Sequence, residues 1–184
     1  MVGWTCWSIT FFDRGESMNT VQEALLGAME AYFNGDAKRI NHARRVTEYA
    51  EELLKQEGGD YSIIIGASVL HDIGIHQAER EYGSTSGKYQ EKEGPPIARP
   101  ILTGLGFEQS QIEEICDIIA HHHSPGKITT TNFSVLYDAD WLVNLRDEFD
   151  LQDRDKVSHL IDRIFLTRSG KALAREIYLQ KKRD

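Results

Sequence analysis

The sequence predicts an all-α protein, a single-domain bundle of about six to eight helices. Three observations predict it. Apolar residues recur at the i, i+3, i+4 and i+7 spacing of a helix face along most of the chain. No segment sustains the period-two alternation of a half-buried strand. Helix-ending and helix-starting residues stand between the periodic segments, as at Asn34-Gly35-Asp36 and Gly58-Gly59-Asp60.

Each element follows from those signals. Residues 19–33 form a first helix that Asn34-Gly35 ends. Asp36 caps a second, which runs to about residue 57 with Val46, Tyr49, Ala50, Leu53 and Leu54 at helical spacing. Asp60 caps a third, to about Ile75. Residues 80–94 are rich in Gly and Ser and read as a loop. Pro95 and Pro96 suit the first turn of a fourth helix, kinked at Pro100 and ended by Gly104 and Gly106. A fifth covers about 108–123 and stops at Ser124-Pro125-Gly126; a sixth covers about 132–147; two more occupy 153–168 and 170–181. Residues 1–17 show no helical pattern and read as a tail outside the fold, or an artefact of start-site choice. That leaves 18–184 as one domain, without repeat or linker.

Composition narrows the function. Hydrophobic residues make up 40% of 184, normal for a globular domain, and the formal net charge is -8. An acidic surface repels phosphate backbones, which argues against broad nucleic-acid binding and against anionic membranes. A small anionic substrate then needs a local positive charge, which a bound metal supplies. Two cysteines, Cys6 and Cys116, build no disulfide framework and point to a reducing, cytoplasmic setting. No apolar run approaches a membrane span, and the first residues lack the basic and apolar regions of a signal peptide.

Six of the seven histidines lie between positions 42 and 123. His42 has Val46, Tyr49 and Leu53 at i+4, i+7 and i+11, so it continues a buried stripe. His71 does the same with Ile64, Ala67 and Ile75. Asp72 follows about 100° round the helix, beside that stripe. Asp138 has Val135, Leu142 and Leu145 on its own face, so it also reads as inward, whereas Asp140 lies roughly 200° away. In the fifth helix Ile112, Ile115, Cys116 and Ile119 form a stripe that His122 and His123 continue, while His121 follows the polar Glu114 and Asp117. A single inward histidine is more often a hydrogen-bonded core residue than a ligand. His122 and His123 also have a plain role beside the last carbonyls of their helix. Six inward imidazoles and carboxylates on four helices, however, are costly without a common partner. A divalent ion is the most economical one, and imidazole with carboxylate suits iron, manganese, cobalt, nickel or zinc.

The order His42, then His71-Asp72, then Asp138, in the stretches INHARRVTEYAEELL, ASVLHDIGI and VLYDADWLVNL, resembles the signature of the HD superfamily of metal-dependent phosphohydrolases. The resemblance spans about residues 36–150. It implies that His42, His71, Asp72 and Asp138 are metal ligands, the first aspartate of Asp-Ala-Asp being the family's ligand. It also implies a divalent ion (Fe, Mn, Co, Ni, Zn or Mg), and the departures below make one per chain the expectation. The chain departs from some relatives in having Ile75 where they carry Lys. It also has YQEKEGPPIAR, with Gln90, Glu91 and Glu93, where two-metal relatives carry an earlier histidine.

The function this implies is hydrolysis of a nucleotide or other small phosphate ester by metal-activated water. Asp72 orients the water and His122 or His123 assists the phosphate. Arg44, Arg45, Lys88, Gln90, Glu93 and Arg99 are the candidate substrate contacts. The alternatives are a di-iron oxygenase of the same fold, which needs the fuller histidine set, and a non-catalytic nucleotide sensor, which has no need of a water-activating metal.

Overall fold

The computed structural model describes the backbone of residues 14–180 and the side chains of residues 20–180; most of the expected tail, residues 1–13, lies outside these. The described residues form nine helices and no strand: α1 (Arg14–Phe33), α2 (Ala37–Glu57), α3 (Tyr61–Leu70), α4 (Ile75–Tyr82), α5 (Gly87–Gly104), α6 (Gln109–Ile119), α7 (Thr131–Glu148), α8 (Arg154–Ile164) and α9 (Arg168–Leu179). The all-α expectation is met.

Capping sets the boundaries. Asp36 accepts from the Arg39 amide at 3.2 Å, Asp60 from Ile63 at 3.1 Å and Asp153 from Lys156 at 3.1 Å. Thr130 and Thr167 cap α7 and α9 in the same way. Gly58 and Gly59 leave α2 at φ 75° and 112°, in the left-handed region that favours glycine.

Three boundaries differ from expectation. α1 begins at Arg14, so residues 14–17 of the expected tail are helical. The segment 80–94 is mostly helical: α4 runs to Tyr82, Gly83 closes it at φ 61°, and α5 starts at Gly87. Only residues 83–86 connect them. Pro95, Pro96 and Pro100 therefore lie inside α5 rather than in its first turn. The third helix ends at Leu70, and His71–Gly74 form a tightened turn with i→i−3 bonds from Ile73 to Leu70 (3.0 Å) and from Ile75 to Asp72 (3.0 Å). Gly74 explains the break. A Cβ there would stand 2.5 Å from the Gln90 carbonyl oxygen and 2.6 Å from the Gly94 nitrogen, so the chain turns where α5 crosses it.

The core centres on α3, whose residues Ile63–Leu70 are all buried. Helices α1, α2, α5, α6 and α7 pack round it, and α2 lies along α7. α7 is enclosed as well: residues 135–140 are buried on every side of the helix. No described helix is long and apolar enough to cross a membrane.

Candidate metal centre

Two helix ends and two helix faces meet at one point. The turn after α3 carries His71 and Asp72, the turn after α6 carries His122 and His123, α2 contributes His42 and α7 contributes Asp140. The two turns use the same device. His71 Nδ1 donates to the Ser68 carbonyl at 2.9 Å and His122 Nδ1 to the Ile119 carbonyl at 2.7 Å, each three residues back. A carbonyl only accepts, so Nδ1 carries the hydrogen and Nε2 faces the site.

The Nε2 atoms of His42 and His71 are 3.1 Å apart. Asp72 Oδ2 is 3.7 Å from each. Asp140 Oδ1 is 3.1 Å from His42 Nε2 and 3.5 Å from His71 Nε2. An ion bonded at about 2.0–2.2 Å sets adjacent donors about 2.8–3.6 Å apart for angles between octahedral and tetrahedral. The observed spacings lie in that range or at its edge. His122 Nε2 is buried without a hydrogen-bond partner, 3.7 Å from the other oxygen of Asp72. Donor set and orphaned atom both fit a divalent ion.

Charge points the same way. Burial opposes protonation of His71, but Asp72 and Asp140 outweigh it and raise its pKa to about 9. Burial likewise pushes both carboxylates up, and the imidazoles hold them well below the usual carboxylate range: His71 foremost for Asp72, His42 and His71 for Asp140. Two anions against one imidazolium leave a net negative point that favours a cation.

Asp138 is elsewhere. Its Oδ1 accepts from the Leu166 amide at 2.8 Å, and its Oδ2 from the Thr167 amide at 2.8 Å and the Thr167 hydroxyl at 2.6 Å. Both oxygens secure the start of α9, so Asp140 rather than Asp138 joins the cluster. The expectation treated "inward" as one direction, but α7 is wrapped on all sides and has two inward faces. The sequence signal was present: from Val135 to Val143 the helix is apolar except for the two aspartates, the pattern of a helix without a solvent side.

A cavity of about 220 Å³ opens on the cluster, lined by the cations Lys38 and Arg39, the carboxylates Asp147 and Glu148, and Ile75, Gln90, His123 and Asn144 besides the donors. Of the expected substrate contacts only Gln90 reaches it, where it meets His123 Nε2 at 3.3 Å. Arg44 pairs with Glu30. Arg99 makes a two-point bond to Glu113 at 2.7 and 2.9 Å. Lys88 lies 4.5 Å over the Tyr89 ring, and Glu93 accepts from Tyr82 at 2.7 Å. Arg45 lines a separate cleft with Arg146 and Tyr178. Lys38 and Arg39 were missed because two cations in a first turn read as solvated surface. Their spacing of four and three residues from His42 was the available signal.

A family model for the HD domain matches residues 39–164, more than half of the chain. The chain belongs to the HD-domain family. Its fold is similar to that of a predicted HD superfamily hydrolase from an uncultured Thermotogales bacterium, with a TM-score of 0.61 at 24% identity over 91% of this chain and 92% of that one. It is similar also to an HD-superfamily hydrolase from Bacillus thuringiensis, with a TM-score of 0.60 at 21% identity over 88% and 90%. No curated protein matches the sequence.

Proposed function

We propose that this protein is a divalent-metal-dependent phosphohydrolase acting on a small phosphomonoester. The observation that carries the reading is the convergence of His42, His71, Asp72 and Asp140 beneath a cavity that two cations line. The family and the hydrolase descriptions of its two structural neighbours agree with it.

In the reaction a water oxygen bonds to phosphorus, the ester P–O bond breaks, and the departing oxygen takes a proton to give alcohol and orthophosphate. His42, His71, Asp72 and Asp140 would hold a divalent ion (Fe, Mn, Co, Ni, Zn or Mg), which would supply Lewis acidity, lowering the pKa of water towards roughly 7 and polarising the phosphoryl oxygen. Asp72 turns Oδ2 to the His42–His71 pair and keeps Oδ1 towards His122, so it orients the attacking water. His123 lines the cavity and is the nearer of the pair to exchange a proton or hydrogen bond with phosphate, and His122, buried against Asp72, stands behind it. Lys38 and Arg39 hold the phosphate oxygens. The lone described cysteine is a buried free thiol, in keeping with a reducing, cytoplasmic setting.

A second reading has its own support: Asp72, His122 and His123 offer three donor atoms within 4.8 Å of one another, a partial set for a second ion. One preparation separates the possibilities. With one ion, His122→Ala keeps the metal content and lowers phosphate release by about 10²–10⁴-fold, as for a general acid–base group. With two, the same change removes one metal equivalent. Asp72→Ala abolishes phosphate release in either case. If Asp72→Ala turns over phosphomonoesters at the wild-type rate, the proposal is wrong.

A further inference from the structure

We propose that a cleft between α2, α7 and α9 is a second binding site, separate from the metal centre, for one compact oxyanion of the sulfate and orthophosphate class. Such a site needs nothing from the reaction at the metal centre.

Three helices supply its walls. Arg45 and Tyr49 stand one turn apart on α2, Arg146 and Asp147 lie in the last turn of α7, and Tyr178 closes the cleft from α9. The space between them is about 90 Å³. A single water needs about 10–15 Å³ of such space, so the cleft holds a few waters or one ion of about five heavy atoms. It is too small to enclose a nucleotide, for which roughly 300 Å³ or more is usual.

Donors outnumber acceptors in this cleft. A guanidinium only donates. Among the described residues neither Arg45 nor Arg146 makes a hydrogen bond or an ion pair, whereas Arg44 pairs with Glu30, Arg99 with Glu113 and Arg175 with Asp162. Carboxylates are not scarce in a chain with 29 acidic residues against 21 basic ones, yet these two arginines go without. The Tyr49 hydroxyl also lacks a partner among the described residues, while Tyr178 spends its hydrogen on the Leu142 carbonyl at 2.6 Å. Burial, then Tyr49, raises the pKa of Tyr178, and Arg146 and Arg45 oppose that rise, so both guanidinium groups reach one hydroxyl. Asp147 is the only carboxylate lining the cleft among the described residues, and it pairs with neither arginine.

Two cations against one carboxylate leave the cleft net positive. The neighbouring cavity is the reverse before an ion is bound: Lys38 and Arg39 stand there against Asp72, Asp140, Asp147 and Glu148. A free oxyanion is therefore drawn to the arginine cleft. One exposed arginine is ordinary solvated surface. Two from separate helices, meeting an unpaired hydroxyl in one small cleft, form a converging donor set that holds an oxyanion by short, charge-assisted bonds.

Equilibrium dialysis of the purified protein with its metal against radiolabelled sulfate, at fixed ionic strength, tests this. The expected result is saturable binding of sulfate that orthophosphate displaces. Arg45→Gln and Arg146→Gln are each expected to weaken it by about tenfold or more, the scale of one charged hydrogen bond. Arg45→Lys, which keeps the charge and loses the fork, is expected to weaken it less. Lys38→Gln and Arg39→Gln, in the other cavity, are expected to leave it unchanged. Absence of saturable sulfate binding overturns the site. So does binding that Lys38→Gln removes and Arg45→Gln preserves, which places the anion at the metal centre, and so does equal weakening by all of these variants, which reports net charge alone. Far-UV circular dichroism checks that each variant is folded; if Arg45→Gln is not, Arg146→Gln against Lys38→Gln decides.

Discussion

Two aspartates one residue apart in Asp138-Ala139-Asp140 do opposite work, and the difference lies in what each carboxylate meets. Asp138 meets two backbone N–H groups and a hydroxyl, a neutral site in which burial raises its pKa above the ordinary value against those hydrogen bonds. Asp140 meets two imidazoles, and its pKa falls. The variants should therefore separate. Asp140→Ala is expected to lose the bound ion while the fold persists. Asp138→Ala is expected to retain the ion and to lose about 2–4 kcal/mol of stability, since it leaves buried donors at the start of α9 without acceptors. Metal analysis and denaturant unfolding of both variants check this; loss of metal in Asp138→Ala alone would reverse the assignment.

At the scale of elements, the site depends on how closely α5 crosses the turn between α3 and α4. Gly74 faces the backbone at Gln90 and Gly94, and a Cβ on Gly94 would stand 2.5 Å from Ile119 Cγ2, just before the His122 turn. Three site segments are thus held at glycine distance. Backbone atoms cannot rotate away, so Gly74→Ala is expected to cost about 1–3 kcal/mol and to displace Gln90 from His123. Gly27, inside α1, has nothing within 4 Å of an added Cβ; Gly27→Ala is expected to stabilise by about 0.5–1 kcal/mol by restraining the unfolded chain. Thermal melts of the two single variants check the contrast, and equal shifts would contradict it.

For the whole molecule, the buried cluster couples stability to pH. The pKa of His71 is raised from 6.5 to about 9 in the folded, metal-stripped protein. Folding is then favoured fully below pH 6.5, and that contribution disappears as pH rises through about 9. Asp72 and Asp140 are lowered, so their contribution is present above their ordinary pKa of 3.8 and disappears as pH falls below it. The metal-stripped protein should be most stable between about pH 4 and 6.5 and weaken towards pH 9. A divalent ion takes the place of the His71 proton, so its binding releases protons and tightens with pH. The gap in Tm between loaded and stripped protein should widen from pH 6.5 to 9. Melts of both forms at four pH values measure it, and a gap that narrows would exclude His71 from the ion's site.

The fold class, seven of the eight expected helices in outline, and the inward direction of His42, His71, Asp72 and His122 were legible in the sequence. Helical periodicity and capping are local properties that neighbouring residues carry. The short helix α4 and the helical first half of α5 were not, because Gly and Ser around residues 83–87 masked four-residue punctuation as a longer loop. Which of Asp138 and Asp140 joins the histidines was decided only in three dimensions. Periodicity tells an apolar face from a polar one, and α7 has no polar face over its middle turns, so the choice passed to its neighbours, α9 on one side and the α2–α3 pair on the other.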